Sequence, residues 1–367
     1  RQQHVRQDGR SLSWFLTKTG NQGSIRKADA QQALTQGVEQ SGDFRLQRQW
    51  QLPDGTELKL WHQRIPPLEV MPWGEITEDN GQQATGKGNG VKLEQVIVPE
   101  RVPPGQPVPV TYRWSGQWEA LRSGVVILTW KRQGSATTQG TDRWLHDHAI
   151  GFGNLHVAAS RSPASYQVVE RTAMLPPANL APGIYQLEAT YWNQTMGASV
   201  SIATPAVTLQ IVPNIAPTPA PELDLVTQVR SLAAALPQGT KALDRIFDEV
   251  GRIGQYDPTQ SYLDQARQAM EYRLQAEPNN LDFYYTLALS HVLKRRVNPA
   301  IATLEDIIQL DASNPVAYAY LAFVNLYDFR PAAAQKALQT ALKLNPDLPE
   351  LHALKGVAAL MQFRFVQ

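Results

Sequence analysis

The sequence predicts a multidomain chain: a small α+β piece over residues 1–65, a two-sheet β-sandwich over 91–212 and an all-α helical repeat over 223–367, with linkers at 66–90 and 213–222. Three observations carry this division. Small residues recur at 34-residue intervals at Gly254, Ala288, Ala322 and Gly356, and two further series, Ala266, Ala300, Ala334 and Met270, Leu304, Leu338, keep the same spacing. That period belongs to stacked helix pairs, in which small residues let helices approach and larger apolar residues four places on fill the gap between pairs. Upstream, short runs rich in β-branched and aromatic residues are separated by Pro/Gly turns, the pattern of a strand-rich domain. Between the two patterns Pro213, Pro217, Pro219 and Pro221 break both periods and favour an extended spacer.

Taken in order, the first 65 residues hold a mixed apolar and polar stretch at 11–20, a helix at 25–41 and then a hairpin. The hairpin's first arm alternates apolar and polar over 44–52, Pro53-Asp54-Gly55 supplies the turn, and 56–61 returns with Leu58 and Leu60 on one face. One helix and one hairpin make a thin core, so this piece is expected to lean on structure upstream. Residues 66–90 lose hydrophobic periodicity and gain Gly81, Gly86, Gly88 and Gly90, which reads as linker. Strands are predicted at 91–98, 108–114, 124–131, 144–150, 166–173, 184–192 and 206–212, with turns at Pro103-Pro104-Gly105, Gly134-Ser135 and Ala181-Pro182-Gly183. About seven strands in about 120 residues indicate an immunoglobulin-like sandwich without its disulfide. Beyond the proline spacer, amphipathic helices at 223–236 and 240–253 lead into the repeats, and Asp257-Pro258 cuts short the first helix of a degenerate unit.

Composition narrows the function classes. A chain of 367 residues exceeds the usual size of one core, and its 43% hydrophobic content supports several. With 34 basic against 33 acidic residues there is no field to draw nucleic acid or an anionic membrane surface. The absence of cysteine excludes disulfides, thiolate metal sites and thiol nucleophiles. The longest apolar runs, such as 125–128, fall far short of a membrane span, so membrane attachment is expected only through segments upstream. The chain starts at Arg1 and stops at Gln367 soon after the first helix of a repeat, and is read as a fragment with both ends cut.

The helical residues resemble the tetratricopeptide family over about 110 residues: Tyr284, Leu287, Ala288, Ala300 and Leu304 in one unit, then Tyr318, Leu321, Ala322, Ala334, Leu338, Ala341 and Pro346 in the next. The resemblance implies a concave groove lined by the first helix of each pair, where peptide-binding members place lysines and asparagines that clamp a terminal carboxylate. This chain departs from that pattern. Its frame puts Tyr285, Leu289, Val292 and Leu293 from one unit and Ala319, Phe323, Leu326 and Tyr327 from the next on the groove, extended by Ala353, Val357 and Leu360. A contiguous apolar lining of that size is unusual on a soluble monomer. It is filled by the chain's own helix near 223–236 or the β domain, by an amphipathic helix of another protein, or by a carboxylate tail.

Candidate chemistry centres on His146, Asp147 and His148, with His156 eight residues after His148. On a strand, His146 and His148 share a face, the spacing of two imidazole ligands to zinc, with His156 or Asp142 as a third. The competing reading is a pair of histidines on a solvated sheet face. His291 and His352 lie on repeat helices and read as packing or groove residues. Gly-x-Ser-x-Gly is absent, and Gly86-Lys87-Gly88-Asn89-Gly90 lacks the Ser/Thr and helix of a phosphate loop, so no catalytic residue and no cofactor is assigned. All nine tryptophans precede residue 193. An exposed coplanar row among Trp114, Trp118, Trp130, Trp144 and Trp192 would stack on glycans, and burial would make them sandwich core. Asn193-Gln194-Thr195 fits the glycosylation acceptor pattern.

In order, the segments resemble the soluble C-terminal part of membrane-bound, lipid-linked-sugar glycosyltransferases of the dolichyl-phosphate-mannose-type superfamily, in a cyanobacterial form with appended repeats. The residues that carry this are Trp14-Phe15-Leu16-Thr17-Lys18-Thr19-Gly20, Gln51-Leu52-Pro53-Asp54-Gly55-Thr56, Leu175-Pro176-Pro177 and 180–187. The resemblance implies an extracytoplasmic location, periplasm or thylakoid lumen, and no active site in this chain, because that family carries its catalytic acids beside early membrane helices. The expected function is a non-catalytic scaffold or recognition region. Two alternatives stay open: a glycan-handling region with the sandwich as carbohydrate-binding module, and a stand-alone assembly factor.

Overall fold

A computed structural model describes residues 2–7, 10–19, 36, 38–39, 44–63, 67–72, 90–135, 140–153, 155, 165–193, 197–254 and 260–362. Its contacts divide the chain into two compact units, one of Arg1–Leu145 with Ile150–Glu222, the other of His146–Ala149 with Leu223–Gln367.

The first unit opens with an antiparallel sheet of β1 (Gln2–Gln7), β2 (Arg10–Thr19), β3 (Phe44–Gln51) and β4 (Glu57–Gln63), in the order β1-β2-β4-β3. The expected hairpin is β3–β4; Asp54 Oδ1 accepts the Thr56 N–H at 2.9 Å and Gly55 takes φ 79°, the left-handed conformation a tight turn needs. Within the mixed stretch at 11–20, residues 11–19 belong to β2, which pairs with β1 and β4 together, and Trp61 Nε1–H donates to Thr17 Oγ1 at 3.0 Å across the β2–β4 pair. The piece is therefore a four-stranded sheet where one hairpin was expected; the pairing partners, not a clean alternation, hold β2 extended. Of the helix expected at 25–41 only 36, 38 and 39 are among the described residues, and these are helical.

Two further sheets share one core. They are built from β5 (Leu68–Pro72), β6 (Lys92–Ile97), β7 (Arg101–Val102), β8 (Val108–Gln117), β9 (Gly124–Arg132), β10 (Arg143–Leu145), β12 (Ser165–Met174), β13 (Gly183–Asn193), β14 (Ala198–Ile202) and β15 (Thr208–Ile211), with helix α1 (Trp118–Ser123) between β8 and β9. The short strand β11 (His148–Ala149) belongs to the second unit. One sheet runs β5-β12-β8-β6; the other runs β10-β9-β13-β15-β7, with β14 on β13 and β15 parallel to β7. Alternation makes the inner faces: along β8, Val108, Val110, Tyr112 and Trp114 are buried while Pro109, Thr111 and Arg113 are less so. Two differences from expectation stand out. Leu68–Pro72, inside the stretch read as linker, is an edge strand on β12 whose Leu68 and Val70 enter the core; five residues after two prolines give too little pattern to see. The strand expected at 144–150 ends at Leu145.

Among the buried polar groups of this core, Glu170 is satisfied from two sides. The Glu170 carboxylate accepts from Trp114 Nε1–H at 2.6 Å and from the Gly151 N–H, which ties the turn after β11 to β12. A Cβ on Gly124 would lie 2.4 Å from the Tyr191 ring, so this strand start requires glycine. The Tyr185 hydroxyl, pushed up to about 12 by burial, sits 2.6 Å from the Ala181 carbonyl and fastens the 181–183 turn to β13. Tyr185→Phe is expected to cost about 1 kcal/mol through that lost bond, read as a lower urea midpoint at unchanged slope. An unchanged midpoint would mean the hydroxyl contributes nothing net.

The second unit holds α2 (Leu225–Ala233), α3 (Ala242–Gly254), α4 (Ser261–Ala276), α5 (Leu281–Leu293), α6 (Val297–Leu310), α7 (Pro315–Tyr327), α8 (Pro331–Leu344) and α9 (Pro349–Met361). The helices α5, α7 and α9 begin 34 residues apart, and so do α6 and α8. Detail repeats with them. Asn280 and Asn314 cap α5 and α7 by accepting the Asp282 and Val316 N–H groups. The bond from Arg296 to Asp264 at 2.8 Å recurs one period on as Arg330 to Asn298, also at 2.8 Å. Ala288, Ala300, Ala322 and Ala334 are buried where paired helices meet, as the spacing predicts. Gly356 is the exception: it is exposed, and an added Cβ would meet nothing within 4 Å. No described helix is long and apolar enough to cross a membrane.

Candidate functional site

The first helices of the pairs, α5, α7 and α9, carry the predicted groove residues. Much of that lining is occupied by the chain itself. Helix α2 packs against α4 and α5, and its Val226, Val229 and Leu232 share a buried cluster with Tyr285, Leu289 and Tyr320. Asp224 starts α2 as its N-cap, accepting the Thr227 N–H at 2.9 Å, and the apolar residues that follow recur at helical spacing. The chain then runs on past the next two helices. The Tyr320 hydroxyl of α7 lies 3.0 Å from the carbonyls of both Leu236 and Gly239, Asn314 Nδ2–H donates to the Pro237 carbonyl, and Thr240 Oγ1–H donates to Glu350 of α9 at 2.7 Å. Burial pushes the Tyr320 hydroxyl well up.

The groove residues of these two units thus separate into two groups. Tyr285, Leu289, Ala319 and Leu326 are buried, and Val292 is half-buried. Phe323 and Tyr327 stay 37% and 55% exposed. One period beyond Phe323 and Leu326, α9 shows Val357 and Leu360 at 45% and 58% exposure. Because α7 packs on α9, these side chains continue the apolar lining past the part the chain's own segment fills.

A second feature joins the predicted His146, Asp147 and His148 to partners that the sequence did not indicate. The tetrapeptide His146–Ala149 lies in the helical unit and is held by its first helices. Arg273 of α4 grips the Asp147 carboxylate through two bonds, Nε to Oδ2 at 2.5 Å and Nη2 to Oδ1 at 2.6 Å. His146 Nε2 lies 3.0 Å from Asp224 Oδ2, and the Ala149 N–H donates to Gln265 Oε1 at 3.2 Å. His148 Nδ1 sits 3.0 Å from the His146 carbonyl. His146, Asp147 and His148 have no exposed surface at all. Burial lowers the His146 pKa, so it is neutral near pH 7 and donates from Nε2. For Asp224 burial works against the charge, but bonds from His146 and Thr227 outweigh it and hold the carboxyl near about 2.

This arrangement corrects the reading of a solvated sheet face: His146 and His148 are fully buried, with His146 Nε2 turned to Asp224 and His148 Nδ1 to a backbone carbonyl. His156 lies outside the described residues. Among the described residues no group of three or more His, Cys, Asp or Glu is placed to hold a metal ion. His291 is buried in α5 and His352 is exposed on α9. Of the sandwich tryptophans, Trp114, Trp130 and Trp144 are core, the last two stacked with centroids 5.4 Å apart, and Trp118 and Trp192 are half-buried. They form no exposed row for a sugar ring. One signal for the missed cluster was present: Arg273 occupies the phase at which the next units carry Ile307 and Ala341, a charge where the repeat is otherwise apolar.

No family model matches the chain, and no curated protein matches it. Solved structures do match its helical part. A crystal structure of MamA is similar at 27% identity, over 31% of this chain and 66% of that one, just under two thirds, with a TM-score of 0.28. The TPR2B domain of yeast Sti1, in a complex with pHsp70, is 20% identical over 31% of this chain and 95% of that one, TM-score 0.26. A mutant O-GlcNAc transferase of Thermobaculum terrenum is 20% identical over 36% of this chain and 23% of that one, TM-score 0.25.

Proposed function

We propose that this chain is a non-catalytic recognition region whose helical repeat receives an amphipathic helix of a partner protein at the open end of its groove. The observation that carries the reading is the exposed set Phe323, Tyr327, Val357 and Leu360, continuous with a lining that already accepts the chain's own amphipathic helix α2. The same lining therefore favours a second helix of like kind over a carboxylate tail, for which no lysine and asparagine clamp is in place. The rest of our reading is finer. The strand order, the parallel β15–β7 pair and the Tyr185 corner support an immunoglobulin-like sandwich. The short strings at 14–20, 51–56 and 175–187 support placement beside a lipid-linked-sugar membrane glycosyltransferase, on the extracytoplasmic side. A stand-alone assembly factor with the same groove is distinguished only by what surrounds this chain.

The test uses the full chain and a Phe323→Glu/Val357→Glu variant, both positions being exposed enough to change without unfolding the repeat. Partners captured from a membrane extract are purified and titrated singly against each form. A partner helix that binds the parent at least about tenfold more tightly than the variant supports the reading. Equal affinity, with both proteins melting at the same temperature, sinks it.

A further inference from the structure

The groove at Phe323 explains recognition but leaves unexplained a group of charges buried elsewhere in the helical unit. Asp147 and Asp224 face Arg230 and Arg273, two carboxylates against two guanidinium groups, with His146 bonded to Asp224 and His148 packed on His146. We propose that this cluster is a pH-operated latch, in which protonation of the buried histidines frees the tetrapeptide His146–Ala149 from the helices that hold it.

The charge balance sets the direction. With both histidines neutral the cluster is electrically even, and each carboxylate is committed: Asp147 to the Arg273 fork, Asp224 to the Thr227 N–H and to His146. In the helical unit, α2 sets Asp224 against His146, the tetrapeptide adds Asp147 and the second imidazole, α4 places Arg273 on Asp147 and Gln265 on the Ala149 N–H, and Arg230 feels Asp147, Arg273, Asp224 and Asp282. A proton added to His146 or His148 is a charge with no exposed surface, 5.0 Å from the other imidazole between ring centres. The Asp224 carboxylate softens this cost for His146 without reversing it. Released into water, the same histidines take up protons near their ordinary pKa of about 6.5.

The sign follows from linkage. The closed state binds fewer protons than the open state below about pH 6.5, so closure is fully stable above that pH and weakens as the pH falls through it. Asp224, held near about 2, keeps its contribution until the pH drops below the usual carboxylate range, so the window from about 6.5 to about 4.5 belongs to the histidines. The suppressed His146 multiplies the open population about tenfold per pH unit within it, about thirtyfold from pH 7.5 to 5.0.

Hydrogen exchange of the full chain, corrected for the intrinsic pH dependence, reads this at the peptides that span 146–149. The expected result is an opening equilibrium that rises by about thirtyfold or more between pH 7.5 and 5.0, and a flat profile in the His146→Gln/His148→Gln variant, whose amides can donate as imidazole does. Should that variant misfold, the imidazole Cε1–H signals of the parent decide: silence of both down to pH 5.5 in the closed state supports the latch. A flat corrected profile for the parent, an unchanged slope in the variant, or both histidines titrating near 6.5 while the tetrapeptide stays protected would overturn it.

Discussion

Replacing Arg273 by methionine is expected to destabilise the helical unit by about 3–5 kcal/mol, the cost of taking the guanidinium fork away from a buried carboxylate. Asp147 has no exposed surface and Arg273 only 7%, so solvent cannot take over the lost bonds. Both short bonds to Asp147 come from this one side chain, and methionine keeps most of the length while removing every donor. Adding Asp147→Asn should return part of the loss, because a neutral amide costs less to bury than an ion. The double-mutant cycle, read from denaturant midpoints, should therefore show strong coupling. A loss under about 1 kcal/mol for the single change would place the pair in the class of solvent-screened surface bridges and would also remove the charge balance on which the latch depends.

What the sequence shows and what it hides follow from the range of the interaction involved. The 34-residue series is read directly because each small residue answers to a helix next to it in the chain, and Ala288, Ala300, Ala322 and Ala334 are buried as that spacing requires. The hairpin at Asp54-Gly55 is equally local. Strand β2 was not recognised because its neighbours, rather than its own alternation, define it, and β5 was too short to show a period. The tetrapeptide shows the limit most sharply. Alternation over 144–148 fits a continuing strand, yet the partner that captures Asp147 lies 126 residues away, and period alone cannot rank two surfaces that both accept an extended segment. In the groove, the frame alone does not separate filled from open positions: Tyr285 and Leu289 look like Phe323 and Val357 in sequence, and the packing of α2 is what buries the first two.

Two substitutions at one phase of the repeat should act in opposite directions. Ala322 has no exposed surface and lies among Ala334, Ala337 and Leu338, so Ala322→Phe must push α7 from α8 and is expected to cost about 1–3 kcal/mol or more by overpacking. Gly356 holds the equivalent place in α9, where an added methyl meets nothing within 4 Å. Gly356→Ala should therefore gain about 0.5–1 kcal/mol, since alanine loses less backbone freedom on becoming helical. Thermal melting of both variants against the parent distinguishes the cases. A neutral Ala322→Phe would mean that α7 and α8 are not held together by close approach at this position. A destabilising Gly356→Ala would mean that the Gly356 face is covered in solution by a helix packed as closely as α8 packs on Ala322. Because the two positions share a phase, opposite signs would show that the phase sets the capacity for close packing and the neighbouring helix sets whether it is used.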